Sequence, residues 1–325
     1  MTSASALIHR WVFTALLLGA PNLALADTDY PKRPVKIVVP APAGTVLDSL
    51  PRILADRLAA RWGQAVIIEN RAGAAQNIGA EMVAKSEPDG YTLLATPDGP
   101  LVISQHVFSK LSFDPSAFAP VSIYVTQPIV LVANPTTPYS SFDEMLSFAK
   151  ANPLKINYGS PGTGSSLHLI AEMLQVSTGV RLLHVPYRGM APAMTDLLAG
   201  HIATTFDVLG NVAAHVKAGR LKALAVASET RIPELPDVPA IAETIPDFRF
   251  RSWFAVVAPP KTQPEIATKV SQAIAETLHL PDVAQKFREF SVTPVGTSPA
   301  ETAAFLKEES ERWRQVVAAT AIKVE

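Results

Sequence analysis

The sequence predicts an α/β fold in two lobes, each a mainly parallel sheet flanked by helices, with two crossings between the lobes. Three observations predict it. Short apolar runs rich in branched residues alternate with helical patterns, turn residues punctuate nearly every junction, and the last third returns to helix and needs a sheet to cover. The simplest closure folds that last third back on the first series. It makes residues 27–127 with 250–325 lobe I and residues 128–249 lobe II, with crossings near 126–128 and 249–252.

The elements follow in order. Val35 to Val39 is a buried strand, residues 40–47 a loop, and residues 48–61 an amphipathic helix carrying Leu50, Ile53, Leu54, Leu58 and Trp62 along one side. Residues 66–68 form the next strand and 75–85 a helix, with a third strand over 91–95 after the turn Pro88-Asp89-Gly90. A second series begins after Tyr124. It runs through a strand at 129–133, a helix at 142–149 opened by Ser141 and Glu144 in capping-box spacing, and a strand at 156–158. Loop 159–164 leads to a helix over 166–175 that stops near Gly179, followed by a strand at 182–185. Pro192 stands where a first helical residue would and Gly200 where that helix would stop; strand 202–206, helix 212–217 and strand 221–227 close the series. Thr262 and Pro264 then open a helix to Leu278. Ser298, Pro299 and Glu301 combine a cap, a first-turn proline and a reciprocal acid before a long helix through Trp313.

Composition excludes several function classes. The 325 residues hold 28 Lys+Arg against 29 Asp+Glu, a formal net charge of -1. Nucleic acid is thereby disfavoured, because its phosphates call for a clustered basic excess. Cysteine is absent, which removes disulfides, thiolate metal sites and cysteine nucleophiles together. His106, His168, His184, His201, His215 and His279 show no metal-ligand spacing, so neither metal nor cofactor is expected.

Residues 1–26 have the layout of a cleavable secretory signal: His9 and Arg10 precede an apolar run from Trp11 to Gly19, and Ala24-Leu25-Ala26 supplies the small-x-small pattern. That run is about half of the roughly 20 residues a membrane span needs. Cleavage after Ala26 would leave 325 − 26 = 299 residues with a charge of 27 − 29 = -2, since Arg10 is the only charge removed. No cysteine stands there to carry a lipid. An exported chain free of cysteine fits the bacterial periplasm.

In open α/β sheets a ligand sits beyond the carboxyl ends of the strands, where loops feed helix N-termini that carry partial positive charge and free amides. Four such places stand out: the loop Pro40-Ala41-Pro42-Ala43-Gly44-Thr45, the loop from Gly159 through Gly164 and Ser165 to Ser166, the segment from Tyr187 to Pro192 that includes Ala191, and Asp207 after its strand. Each alone is equally a chain reversal. In register on two lobes they describe one anion pocket. Asp207 is the acid most readily placed in the cleft, while Asp48 either orders the first loop or complements its helix dipole. Arg188 reads as solvated. His168 reads as a packed or surface imidazole, with ligand contact as the alternative.

Catalytic signatures are missing. There is no G-x-S-x-G, Walker loop or H-E-x-x-H, and Gly162-Thr163-Gly164 lacks the third glycine of a dinucleotide fingerprint. Ser147 to Lys150 matches S-x-x-K without its companion motifs. No catalysis is expected; the enzymatic alternative is a hydrolase using Ser165 or Ser166 with His168.

The segments VKIVVPAPAG, VIIENRAGAAQNIGAEMVAKSEPDGYTLL, YGSPGTGSSLHL, HVPYRGMAPAMTDLLAGH, FDVL, KAGRLKALAVAS and LPDVPAIAE span essentially all of the chain after residue 26. In this order they resemble the tripartite tricarboxylate transporter solute receptors, the Bug family. The resemblance implies a monomeric two-lobed periplasmic binding protein of type II. Such a protein closes over a small organic carboxylate (a dicarboxylate, an aromatic acid or an acidic amino acid) and delivers it to a membrane permease. A periplasmic ligand-binding partner of a sensor kinase is the alternative.

The resemblance also implies that backbone amides and hydroxyls hold the carboxylate, often with ordered water. The residues carried over are Ala43, Gly44, Thr45 and Asp48 in lobe I and Ser160, Gly164, Ser165, Ala191 and Asp207 in lobe II. The chain departs from the family pattern at Thr45, which replaces the second glycine of P-P-G-G, and at Leu47, where a small polar residue is common. Ala75 and Gln76 replace paired glycines, and Asp98 stands where a small or hydroxylic residue is usual. An acid in the cleft at Asp98 would repel a second carboxylate or attract a ligand amine.

Overall fold

Three parallel strands begin the chain, β1 (Val35–Val39), β2 (Val66–Asn70) and β3 (Thr92–Pro97), with β1 in the middle. The computed structural model describes residues 30–324, so the signal-peptide reading of residues 1–26 lies outside the described residues. Pro31–Glu325 forms one compact unit. β1 is apolar but for Lys36, whose Nζ pairs with Glu69 of β2 at 2.7 Å, the near-continuous run usual in a parallel strand covered by helices. Helix α1 (Val46–Trp62) follows it and ends on Gly63 in the left-handed region.

The expected helix over 75–85 starts late. Ala74, Ala75 and Gln76 have φ of 47°, 48° and 77°, and only then does α2 (Asn77–Ala84) begin. Tertiary context overrides helical preference at these three residues, for left-handed backbone costs a side-chain-bearing residue about 1–2 kcal/mol. After β3 the chain makes a π turn at Gly99–Ile103 and the short helix α3 (Ser104–Val107).

The largest departure from expectation is β4 (Ala119–Ala133), 15 residues long. Tyr124, where the second series was expected to begin, lies fully buried in mid-strand. β4 changes partner along its length. From Ala119 to Pro128 it pairs antiparallel with β9 (Arg251–Ala258), and from Ile129 onward with β7 (Thr204–Val208) and β8 (Lys222–Val226). Pro128, which has no amide hydrogen to give a ladder, sits at the exchange.

Beyond β7 the sheet continues in parallel through β5 (Asn157–Ser160) to β6 (Leu183–Pro186). The order is β2-β1-β3-β9-β4-β7-β5-β6, with β8 and the two-residue β10 (Thr293–Pro294) also pairing with β4. The outer strands of each half are thus parallel and the strands joining the halves are antiparallel.

Local cap chemistry places several of the helices. α4 (Phe142–Ala151) starts on Ser141, whose Oγ accepts from Glu144 N at 3.2 Å, while Glu144 Oε2 accepts from Ser140 N and not from the capping residue. α5 (Ser166–Thr178) ends on Gly179. α6 (Met190–Ala199) ends on Gly200 but begins at Met190, two residues before Pro192. First-turn amides have no partner in their own helix, so a proline fits any of those positions and does not mark the first. α7 (Leu209–Lys217) also begins earlier than expected, directly after β7.

α8 (Pro264–Leu278) packs on β4 and α1, and α9 (Pro281–Glu289) was not expected from the sequence. α10 (Pro299–Thr320) carries the full capping box, Ser298 N to Glu301 Oε2 at 2.9 Å and Glu301 N to Ser298 Oγ at 3.3 Å. The core lies on both faces of the sheet. Ile129, Leu131 and Ala133 of β4 join one cluster and Val130 and Val132 the other, the two-residue alternation of a strand covered on both sides.

Candidate functional site

Four strand ends feed helix starts: β1 into α1, β5 into α5, β6 into α6 and β7 into α7. They meet around a narrow cleft. Thr45 and Leu47 line it from α1, Ser166 and Leu167 from α5, Gly189 and Met190 from α6, and Val208 and Asn211 from α7. Its sheet side is formed by Pro97, Ser252 and Phe254, and Gln76 contributes to its wall. A second recess is lined by Gly44, Thr45, Ala191, Asp207 and His215 among others. Asp207 lines both.

The first loop is built on Asp48, which is only 3% exposed. Its Oδ2 accepts from Gly44 N at 3.0 Å, and its Oδ1 accepts from Arg52 Nε at 3.0 Å and Asn70 Nδ2 at 2.9 Å. Burial pushes this carboxyl up, but the bonds from Arg52, Gly44 and Asn70 outweigh it and hold the group below the ordinary carboxylate value. Asp48 therefore orders the loop. Ala43 and Gly44 are exposed at the loop's tip, and Thr45 is the N-cap residue of α1.

In the second loop, hydroxyls expected to face a ligand are occupied. Ser160 Oγ lies 2.7 Å from His184 Nε2, and Ser165 Oγ donates to Gly162 O at 2.7 Å while accepting from His168 N, as the cap of α5. Gly164 N donates to His168 Nδ1 at 3.1 Å. The cleft instead meets Ser166 and Leu167, whose amides are the first two of α5 and have no acceptor inside their own helix. Helix phase explains the offset. Once Ser165 is committed as cap, the groups free for a guest are one and two residues later, a shift recoverable from cap spacing alone.

His168 is 4% exposed and stacks on His184 at 4.0 Å between ring centroids, with Tyr158 4.9 Å beyond His184. Burial, with a smaller contribution from His184, pushes His168 down to about 3, and burial pushes His184 down to about 4. Both rings are neutral near pH 7. The His168 ring bonds the Gly164 amide and not a serine hydroxyl, so Ser165 and Ser166 are not paired with it as nucleophile and base. Arg188 is exposed, as expected.

The two sides of the cleft touch. Val46 N, the first amide of α1, donates to Asn211 Oδ1 of α7 at 2.9 Å. Gly189, at φ 112°, lies where a Cβ would come within 2.6 Å of Pro42 Cδ, and a Cβ on Gly162 would meet Ala75 N at 3.3 Å. Asn211 escaped the sequence reading, although its place one turn after Asp207 was a usable signal.

Two acids are buried near these contacts. Asp207 Oδ1 accepts from Val208 N at 2.7 Å and from Asn211 Nδ2 at 2.9 Å, and burial pushes the group up to about 7. Asp98 is 2% exposed and neighbours the Ser166 hydroxyl; burial pushes it up to about 7 as well, against that hydrogen bond. Neither of the two recesses that Asp207 lines has Arg or Lys among its lining residues. Among the described residues no cluster of His, Asp and Glu could hold a metal ion, and no helix is long and apolar enough to cross a membrane.

A model of the tripartite tricarboxylate transporter family receptor matches residues 50–322. Protein BugT of Bordetella pertussis (strain Tohama I) is 36% identical over 327 residues, covering 100% of this chain and 99% of that protein. The solved periplasmic binding protein BugD is 30% identical with a TM-score of 0.86, over 91% of this chain and 100% of that one. The R. palustris protein Rpa4515, solved with adipate, is 35% identical with a TM-score of 0.87, over 91% of this chain and 99% of its own. With helix starts gathered about one cleft, and with likeness over nearly its whole length, the chain belongs to the tripartite tricarboxylate transporter family of receptors, the Bug-type periplasmic binding proteins.

Proposed function

We propose that this protein is a solute receptor that holds one small organic carboxylate in the cleft and delivers it to a tripartite tricarboxylate-type membrane permease, without chemical turnover. The observation that carries the reading is the convergence of the starts of α1, α5, α6 and α7 on a cleft lined by no basic side chain. Each start offers free amides and roughly half a unit of positive charge, enough in combination to hold an anion without a paired cation. Rpa4515, a relative of the same fold, was solved with a dicarboxylate.

Of the contacts expected from sequence, Thr45 and Asp207 line the cleft, and Gly44 and Ala191 line the recess beside it. Ser166, Leu167, Met190 and Asn211 join them in the proposed binding surface. Ser160, Gly164, Ser165 and Asp48 support the loops from behind. The lobes are residues 27–127 with 250–325, and residues 128–249, moving about β4 and β9 where β4 exchanges partners at Pro128. Delivery to a permease rests on family membership, and a periplasmic site on the same membership together with the signal pattern in residues 1–26. Calorimetry on protein refolded from denaturant, against dicarboxylates, aromatic acids and acidic amino acids, tests the reading. Heat of binding from at least one acid is expected; silence across the whole panel would refute it.

A further inference from the structure

We infer that the guest carries a hydrogen-bond donor beside its carboxylate, a hydroxyl or an ammonium group, and that Asp207 Oδ2 receives it. The inference rests on the receptor reading and adds the chemical class of the guest. Asp207 ends β7, is 1% exposed, and lines both the main cleft and the adjoining recess. Its two oxygens differ. Oδ1 is saturated by Val208 N and Asn211 Nδ2, whereas Oδ2 is buried with no protein partner among the described residues.

Asn211 cannot turn to serve the second oxygen. Its Oδ1 already accepts from Val46 N across the cleft and its Nδ2 already donates to Asp207 Oδ1, so both ends of the amide are held. Neither recess supplies a lysine or arginine, and His215, the remaining titratable group on the second recess, makes no hydrogen bond to Asp207, its own Nδ1 being buried without a partner among the described residues. A buried carboxyl oxygen without a donor carries most of its desolvation cost unrelieved. A guest that brings an N–H or O–H to that point relieves it, and one that brings only a second carboxylate adds like charge. Asp98 Oδ1 is likewise without a partner, but Asp98 lines neither recess, so it plays no part here.

The test uses refolded full-length protein at pH 8, above the value to which burial pushes Asp207, and calorimetry with matched sets of acids. The sets are succinate, malate and aspartate; adipate with its 2-hydroxy and 2-amino forms; and propionate, lactate and alanine. In the set that binds most tightly, a donor-bearing member is expected to bind about tenfold or more tighter than its donor-free parent. Preference for the amino member identifies an ammonium paired with the ionised acid; preference for the hydroxy member identifies a neutral donor. Asp207→Ala is expected to erase the preference. In Asp207→Asn the amide oxygen keeps the bonds from Val208 N and Asn211 Nδ2 and the NH2 faces the guest, so the amine preference is expected to vanish while a hydroxyl keeps its bond as the acceptor.

A donor-free acid that equals its hydroxy and amino counterparts in every binding set overturns this inference and leaves the receptor reading standing, as does a preference that survives Asp207→Ala. Where only aromatic acids bind, phenylacetate against mandelate and phenylglycine decides in the same way; silence from these and from every other set overturns both. If Asp207→Ala does not fold, the wild-type ranking alone decides.

Discussion

Replacing Asp207 by asparagine should flatten part of the protein's stability-versus-pH curve. Burial pushes this acid up to about 7 in the folded state, against an ordinary value of 3.8. Below 3.8 both folded and unfolded chains hold the proton and the group is neutral to stability. As pH rises toward 7 the unfolded chain releases its proton and the folded chain does not, so stability falls, and above 7 it levels off. At about 1.4 kcal/mol per pH unit, the interval from pH 5 to pH 7 amounts to about 3 kcal/mol. Asparagine carries no proton to release, and its side-chain oxygen can still accept from Val208 N.

Urea unfolding of both proteins, followed by tryptophan fluorescence at pH 5, 6, 7 and 8, measures the effect. Asp207→Asn is expected to gain on the wild type by about 3 kcal/mol between pH 5 and pH 8, whatever constant offset separates them. Every other titrating group is common to both proteins and cancels in the difference. Two parallel curves would mean that Asp207 is hydrated or otherwise paired in the folded protein, and the argument from burial would fall.

Other substitutions test neighbouring parts of the site. Gly189→Ala puts a side chain at φ 112° and within 2.6 Å of Pro42 Cδ, so the tightest-binding acid should lose about tenfold or more in affinity by calorimetry; unchanged affinity would show that this contact is absent from the liganded form. Gln76→Gly releases a left-handed residue and should raise stability in urea by about 1 kcal/mol, while altering the ranking of acids because Gln76 lines the cleft. His168→Ala removes the bond to Gly164 N and the stack on His184, at a cost of about 2 kcal/mol near pH 7.5. Because His168 is pushed down to about 3, the wild type loses stability through this ring as pH falls below 6.5 and the variant lacks that loss, so the gap should narrow by pH 4; a constant gap in urea melts would contradict a neutral buried ring.

The sequence alone determined the features that a few neighbouring residues decide. Ser141, Ser165 and Ser298 cap helices because a short hydroxyl reaches the amide three residues on, and Gly179 and Gly200 stop them because the left-handed turn there suits glycine. β1 was legible as a buried strand from its apolar run, broken only by Lys36, and the family from the order of its motifs.

Tertiary structure alone decided the rest. β4 is one strand because β9, β7 and β8 arrive from more than seventy residues away to pair with it, and no local pattern around Tyr124 or Pro128 specifies those partners. Ala74 to Gln76 take a backbone their own preferences oppose, because packing at the cleft wall outweighs about 1–2 kcal/mol per residue. Asp207 is an ordinary acid in sequence; it becomes a buried carboxyl with one free oxygen only when α7 and the start of α1 close around it, because desolvation depends on what surrounds a group in space and not on its neighbours in the chain.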